Sequence, residues 1–153
     1  MTDFQILRAE PSQAGALTRI AFAAKRHWRY PEGWIELWAP ALTILPGFVG
    51  ENEVWVAMAG EQEIAFYALS GEGAEASLEH LWVLPERMGR GVGARLFSHA
   101  VSRSRERGFS LLLIESDPNA QGFYERMGAR KVRENVYCLE GATRALPVLE
   151  MTL

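Results

Sequence analysis

The sequence predicts a single mixed domain of the α+β or α/β type, about four helices flanking a central sheet of six or seven strands. Three observations lead there. Seven strand-like runs and four stretches of helical hydrophobic spacing follow one another as β-α-α-β-β-β-α-β-α-β-β. The run Leu111–Glu115 is almost wholly apolar, as expected of a strand covered on both faces. A chain of 153 residues with 48% hydrophobic content can bury one core, and no linker, repeat or low-complexity tract divides residues 1–153.

Phe4–Ala9 alternates like a strand, and Glu10-Pro11-Ser12 punctuates it, Pro11 suiting a first helical turn. Leu17, Ile20, Ala21, Ala24 and Trp28 recur at helical spacing, which predicts a helix from about Ser12 to Trp28. Past Pro31, Trp34, Leu37, Trp38, Ala41 and Leu45 outline a second helix that Pro40 kinks or ends, and Pro46-Gly47 marks a turn. Glu53–Ala59 and Glu63–Ser70 read as a hairpin about Gly60-Glu61-Gln62. Gly71-Glu72-Gly73 turns the chain into the strand Ala76–Leu84. Val92, Leu96, Phe97, Ala100 and Val101 give the next helix an apolar stripe, and Gly108 caps it. Asp117-Pro118 starts a further helix as N-cap and first-turn proline, and Lys131–Cys138 and Leu146–Leu153 close as strands.

The chemistry concentrates between Leu78 and Gly128. A strand ending Leu-Trp-Val-Leu-Pro (81–85) feeds Glu-Arg-Met-Gly-Arg-Gly-Val-Gly-Ala (86–94), a glycine-rich turn that opens a helix. Such a turn lets backbone N–H groups converge on an anion at the positive end of a helix dipole, so a phosphate ligand is implied. Walker A is excluded, because no Gly-Lys-Ser/Thr follows Gly89. The dinucleotide pattern G-x-G-x-x-G fails as well, since Leu96 stands where the third glycine would be. Arg87, Arg90 and Arg95 surround the turn.

Val83-Leu-Pro-Glu-Arg-Met-Gly-Arg-Gly-Val-Gly93 resembles the acetyl-CoA pyrophosphate loop of the GNAT superfamily of N-acyltransferases, Gln/Arg-x-x-Gly-x-Gly/Ala after a strand ending Val-x-Pro. Asp117–Gly128 resembles that family's Asn-x-x-Ala-x-x-Phe-Tyr-x-x-x-Gly helix. Met88 and Asp117 depart from it, standing where the family has Gln or Arg and Asn. The resemblance implies a GNAT-like sheet and acetyl-CoA as cosubstrate, with no metal. It assigns cofactor binding to the backbone of Leu81, Trp82 and Val83 and to Gly89, Arg90, Gly91, Val92, Gly93 and Ala94; Asn119, two residues past the family's asparagine position, is either a further cofactor contact or a plain first-turn residue. The Val83 amide becomes the expected oxyanion donor. Tyr124 becomes the general acid to the CoA thiolate, a phenol that stays protonated at neutral pH.

Glu79 and His80 are adjacent on one strand and so point to opposite faces. Histidine has the suitable pKa, but strand carboxylates serve in proteins of this kind, usually through water, and Glu79 is the expected base. Residues 26–38 hold three of the five tryptophans, in the helix 1–helix 2 region that lines the acceptor site in such proteins. Trp34 and Trp38 share a helical face. Packing against the sheet or a dimer contact is the plainer use of these rings.

Net charge of −3 leaves no footprint for nucleic acid or an anionic membrane. One cysteine, Cys138, rules out an internal disulfide framework and suits a reducing cytoplasm. No secretory signal or membrane-length apolar run is visible. The expected function is acetyl transfer from acetyl-CoA to a small-molecule or peptide amine, by direct attack on the thioester. The alternative is a non-catalytic acyl-CoA sensor, and a homodimer is compatible with either.

Overall fold

The computed structural model describes residues 3–153. In chain order the elements are β1 (Gln5–Arg8), α1 (Ala14–Arg26), α2 (Glu32–Leu42), α3 (Pro46–Glu51), β2 (Glu53–Ala59), β3 (Gln62–Glu72), β4 (Glu75–Val83), α4 (Val92–Glu106), β5 (Leu111–Glu115), α5 (Gln121–Arg126), β6 (Arg130–Leu139) and β7 (Ala142–Thr152). The seven strands form one sheet ordered β1-β2-β3-β4-β5-β7-β6. The β1–β2, β2–β3, β5–β7 and β7–β6 pairs are antiparallel, and β4–β5 is parallel. A parallel pair needs a crossover connection, and α4 lies within it. The result is the mixed sheet that the element order predicts.

The chain divides into two compact units: the described residues up to Leu69 with His80–Ser98, and Ser70–Glu79 with His99–Leu153. In the first, Leu17, Ile20 and Ala21 of α1 pack with Val54 and Val56 of β2 and Phe66 and Ala68 of β3, all buried. Their spacing of three and four residues on α1 and two on the strands is what aims them inward. Pro40 lies inside α2. It is tolerated two residues from the end, where Thr43 closes the last turn by donating its N–H and its hydroxyl to Ala39 O at 3.0 and 2.7 Å.

The structure adds one helix to the expected four. Pro46-Gly47 does not end in a turn but starts α3, with proline in the first helical turn and Asn52 bonded back to Phe48 O. Six residues with one buried position, Val49, are too few to display a helical period.

In the second unit Leu112 and Ile114 of β5 are buried with Val148 and Leu149 of β7, and Ile114 pairs directly with Leu149. The β6–β7 hairpin turns on Glu140 and Gly141, both at positive φ (47° and 79°), as a two-residue primed turn requires. Gly71 of β3 lies under the Phe109 ring, whose Cζ is 2.2 Å from where a Cβ would stand.

Candidate functional site

In the first unit β4 ends at Val83 and a 3-10 turn spans Pro85–Arg87. Leu84 N–H donates to Ile64 O at 2.9 Å, tethering the strand exit to β3. Gly89 and Gly91 then adopt φ of 75° and 81°. A Cβ on either would meet nothing within 4 Å. The demand for glycine is therefore conformational, since L side chains are strained in the left-handed region. Val92, buried, plants the first residue of α4, and Gly93 and Ala94 follow in its first turn. The opening N–H groups of a helix have no intrahelical acceptor and carry the positive dipole end. Backbone of this shape has the chemistry to receive an anion.

Of the three arginines around it, Arg95 holds its guanidinium 4.1 Å from the Phe4 ring centre, and Arg87 reaches Gln62 Oε1 at 3.5 Å. Arg90 is exposed on the turn itself, and Met88 is half-buried.

Leu81, Trp82 and Val83 are half-buried on β4. Trp82 and His80 share a face by the strand's period of two, and the Trp82 indole N–H donates to His80 Nδ1 at 3.0 Å. The imidazole also lies 5.7 Å from the Phe48 ring and 5.9 Å from Phe66. Close by in the same unit, the ammonium of Lys25, a residue only 8% exposed, stands 4.3 Å from the Trp38 ring centre, 5.0 Å from Tyr30 and 5.9 Å from Trp82. Trp34 and Trp38 do share a face, at 5.8 Å, and Tyr30 packs on both. The sequence shows the tryptophans. It gives no sign that a lysine sits among them.

In the second unit Asp117 Oδ1 accepts from both the backbone N–H and the side-chain amide of Asn119, each at 2.9 Å. Asn119 is exposed, its amide group folded back on the cap. Asp117 Oδ2 faces Arg144 Nη2 of β7 at 3.5 Å, with side chains only 10% and 13% exposed. Tyr124 on α5 is buried, 5.1 Å from the Phe123 ring. Burial first, and the negative charge of Asp117 second, push its phenol well above the ordinary value. Arg144 was not legible from spacing, because it is far along the chain in a strand of ordinary composition.

Glu79 is exposed and accepts the Ser70 hydroxyl at 2.5 Å. A cavity of about 340 Å³ nearby in the chain is lined by Ser70, Gly71, Glu72, Glu75 and Ser77. The strand's period of two puts Glu75, Ser77 and Glu79 on one face of β4. His27 is exposed against Trp28. Among the described residues no group of three or more His, Cys, Asp or Glu side chains can hold a metal ion. No described helix is long and apolar enough to cross a membrane.

The family model for the acetyltransferase (GNAT) domain matches residues 50–128, which include β4, the glycine turn, α4 and the Tyr124 helix. The chain belongs to this family. One curated relative is the peptidyl-lysine N-acetyltransferase YjaB of Escherichia coli K12, 33% identical over 86 residues, or 56% of this chain and 54% of that protein. The match therefore spans about half the length of that relative. Among solved structures, a GCN5-related N-acetyltransferase from Rhodopseudomonas palustris superposes with a TM-score of 0.83 at 21% identity, covering 100% of this chain and 98% of the other. The PaiA N-acetyltransferase of Thermoplasma acidophilum, in complex with coenzyme A, gives 0.78 at 17% identity, with 99% of each chain covered. At these identities the two structures show that the fold is shared.

Proposed function

We propose that residues 1–153 work as one N-acetyltransferase domain that moves an acetyl group from acetyl-CoA to an amine. The observation that carries this is the pair Gly89 and Gly91, both left-handed, immediately ahead of α4. Gly89, Arg90, Gly91, Val92, Gly93 and Ala94 bind the pyrophosphate of the cofactor through backbone N–H groups and the helix dipole. Leu81, Trp82 and Val83 offer main-chain groups to the amide-rich pantetheine arm, and the Val83 N–H serves the oxyanion. Asn119 contributes a polar contact to the cofactor from the cap of the Tyr124 helix.

In the reaction the amine nitrogen attacks the thioester carbonyl carbon, and the tetrahedral intermediate collapses with cleavage of the C–S bond. Glu79, oriented by Ser70, accepts the amine's proton through water. Tyr124 gives its phenolic proton to the departing sulfur. The products are an amide and free CoA thiol, and the proton from the amine side restores the phenol through solvent.

The acceptor is a small-molecule or peptide amine. The naming of the Escherichia coli relative as a peptidyl-lysine enzyme favours the peptide class. An exposed free cysteine, Cys138, suits a cytoplasmic setting. A homodimer is favoured by β6, which ends the strand order and exposes Val132, Val136 and Tyr137. Calorimetric titration with CoA, ATP and NAD tests the cofactor assignment. CoA alone should bind, with Gly91→Val weakening it; equal binding of ATP or NAD would overturn the assignment.

A further inference from the structure

Asp117 is an unusual neighbour for a proton donor. It caps the 3-10 turn Pro118–Ala120, which runs straight into the helix bearing Tyr124. Both of its oxygens are engaged, Oδ1 by the two Asn119 groups and Oδ2 by Arg144. The ion pair is largely withdrawn from solvent, so its charges are screened weakly. When Tyr124 releases its proton, a phenolate forms in a buried position that feels the negative charge of Asp117. A lone carboxylate there would oppose the transfer, and a carboxylate partly offset by a guanidinium opposes it less.

We propose that Arg144 is a positioning residue for proton donation by Tyr124: it offsets part of the charge of Asp117 and holds it at the helix cap, so that the tyrosine can give its proton to the leaving thiolate. The donor's O–H bond breaks as the S–H bond forms, and the phenolate stands for an instant near a carboxylate partly offset by its guanidinium partner instead of near a bare anion. The same pair ties β7 to the entrance of α5, which keeps the turn Asp117–Ala120 in register. This rests on the acid role given to Tyr124.

The test is a set of variants assayed by thiol release from acetyl-CoA with the best amine of an acceptor panel, each first shown by melting and near-UV dichroism to be folded. Arg144→Gln is expected to lower kcat about tenfold, the equivalent of about 1.4 kcal/mol, with KM for acetyl-CoA within about twofold. Arg144→Lys should recover most of kcat, because it keeps the charge. Asp117→Asn placed in the Arg144→Gln background should also recover it, because the uncompensated anion is gone. If the double variant is as slow as Arg144→Gln or slower, Arg144 is only a tether and the proposal falls. A Tyr124→Phe enzyme as fast as the parent would overturn the acid assignment itself, and with it the role of Arg144. Slow Tyr124→Phe together with unaffected Arg144→Gln would overturn the role of Arg144 alone.

Discussion

Trp82 donates its indole N–H to Nδ1 of His80 at 3.0 Å, two residues apart on one face of β4. With Nδ1 accepting, the neutral imidazole carries its proton on Nε2 and has no lone pair left for a substrate's proton. The adjacent Glu79 is exposed and oriented by Ser70. Glu79→Gln is therefore expected to lower kcat/KM roughly 100-fold near neutral pH, the usual scale of a general base. His80→Gln should stay within about threefold at equal folded fraction, since no proton transfer is lost. A reversed order in steady-state rates would move the base to His80.

Gly91→Ala addresses the loop. The φ of 81° places the new side chain in the left-handed region although the space around it is open. The strain of about 1–2 kcal/mol per residue either destabilises the turn or shifts it. KM for acetyl-CoA should rise severalfold while the acceptor's KM is unchanged. An unaltered cofactor KM would mean that the turn does not hold the pyrophosphate.

A stability prediction follows from Gly71, where an added Cβ would stand 2.2 Å from Phe109 Cζ. Gly71→Ala should cost roughly 1–3 kcal/mol by overpacking, a fall in Tm of roughly 3–10 °C for a chain of this size. In a Phe109→Ala background the same substitution should cost far less, and calorimetric melting of the four proteins reads this coupling directly. Additive effects would show that the ring moves aside at no cost.

Tyr124 also sets a pH dependence. Its folded-state pKa is raised by burial and by Asp117, above an unfolded value near 10. Below about pH 10 both states keep the proton, so its contribution to stability is full and constant. Above that the unfolded chain ionises first, and stability is lost at up to about 1.4 kcal/mol per pH unit. Exposed Tyr137, raised by its bond to Glu115, follows the same sign. Denaturant titrations from pH 8 to 11 should show a shallower loss in Tyr124→Phe than in the parent; identical slopes would place the phenol in solvent.

Most of the framework was legible because it is written in local periods. The α4 stripe of Val92, Leu96, Phe97, Ala100 and Val101 is buried as its spacing demands, and Leu111–Glu115 is a strand between two neighbours. The glycine turn was legible for the same reason: positive φ at Gly89 and Gly91 is a backbone requirement that only glycine meets without strain. What the sequence hid depends on contacts between distant residues. Lys25 comes to rest among Tyr30, Trp38 and Trp82, and Arg144 on Asp117, through packing that no short window encodes. α3 stayed hidden because its stability comes from the burial of Val49 and not from its own six residues.

The central claim is that this chain transfers acetyl groups to an amine, and amine-dependent release of CoA thiol from acetyl-CoA measures it most directly. A panel of small amines, polyamines, amino acids and lysine- or N-terminus-bearing peptides should contain acceptors that raise the release rate well above hydrolysis, with the acetylated amine formed in equal amount. Tyr124→Phe should slow that release. Tight binding of acetyl-CoA with no acceptor-stimulated release across the panel would contradict the account and mark the chain as a binding module.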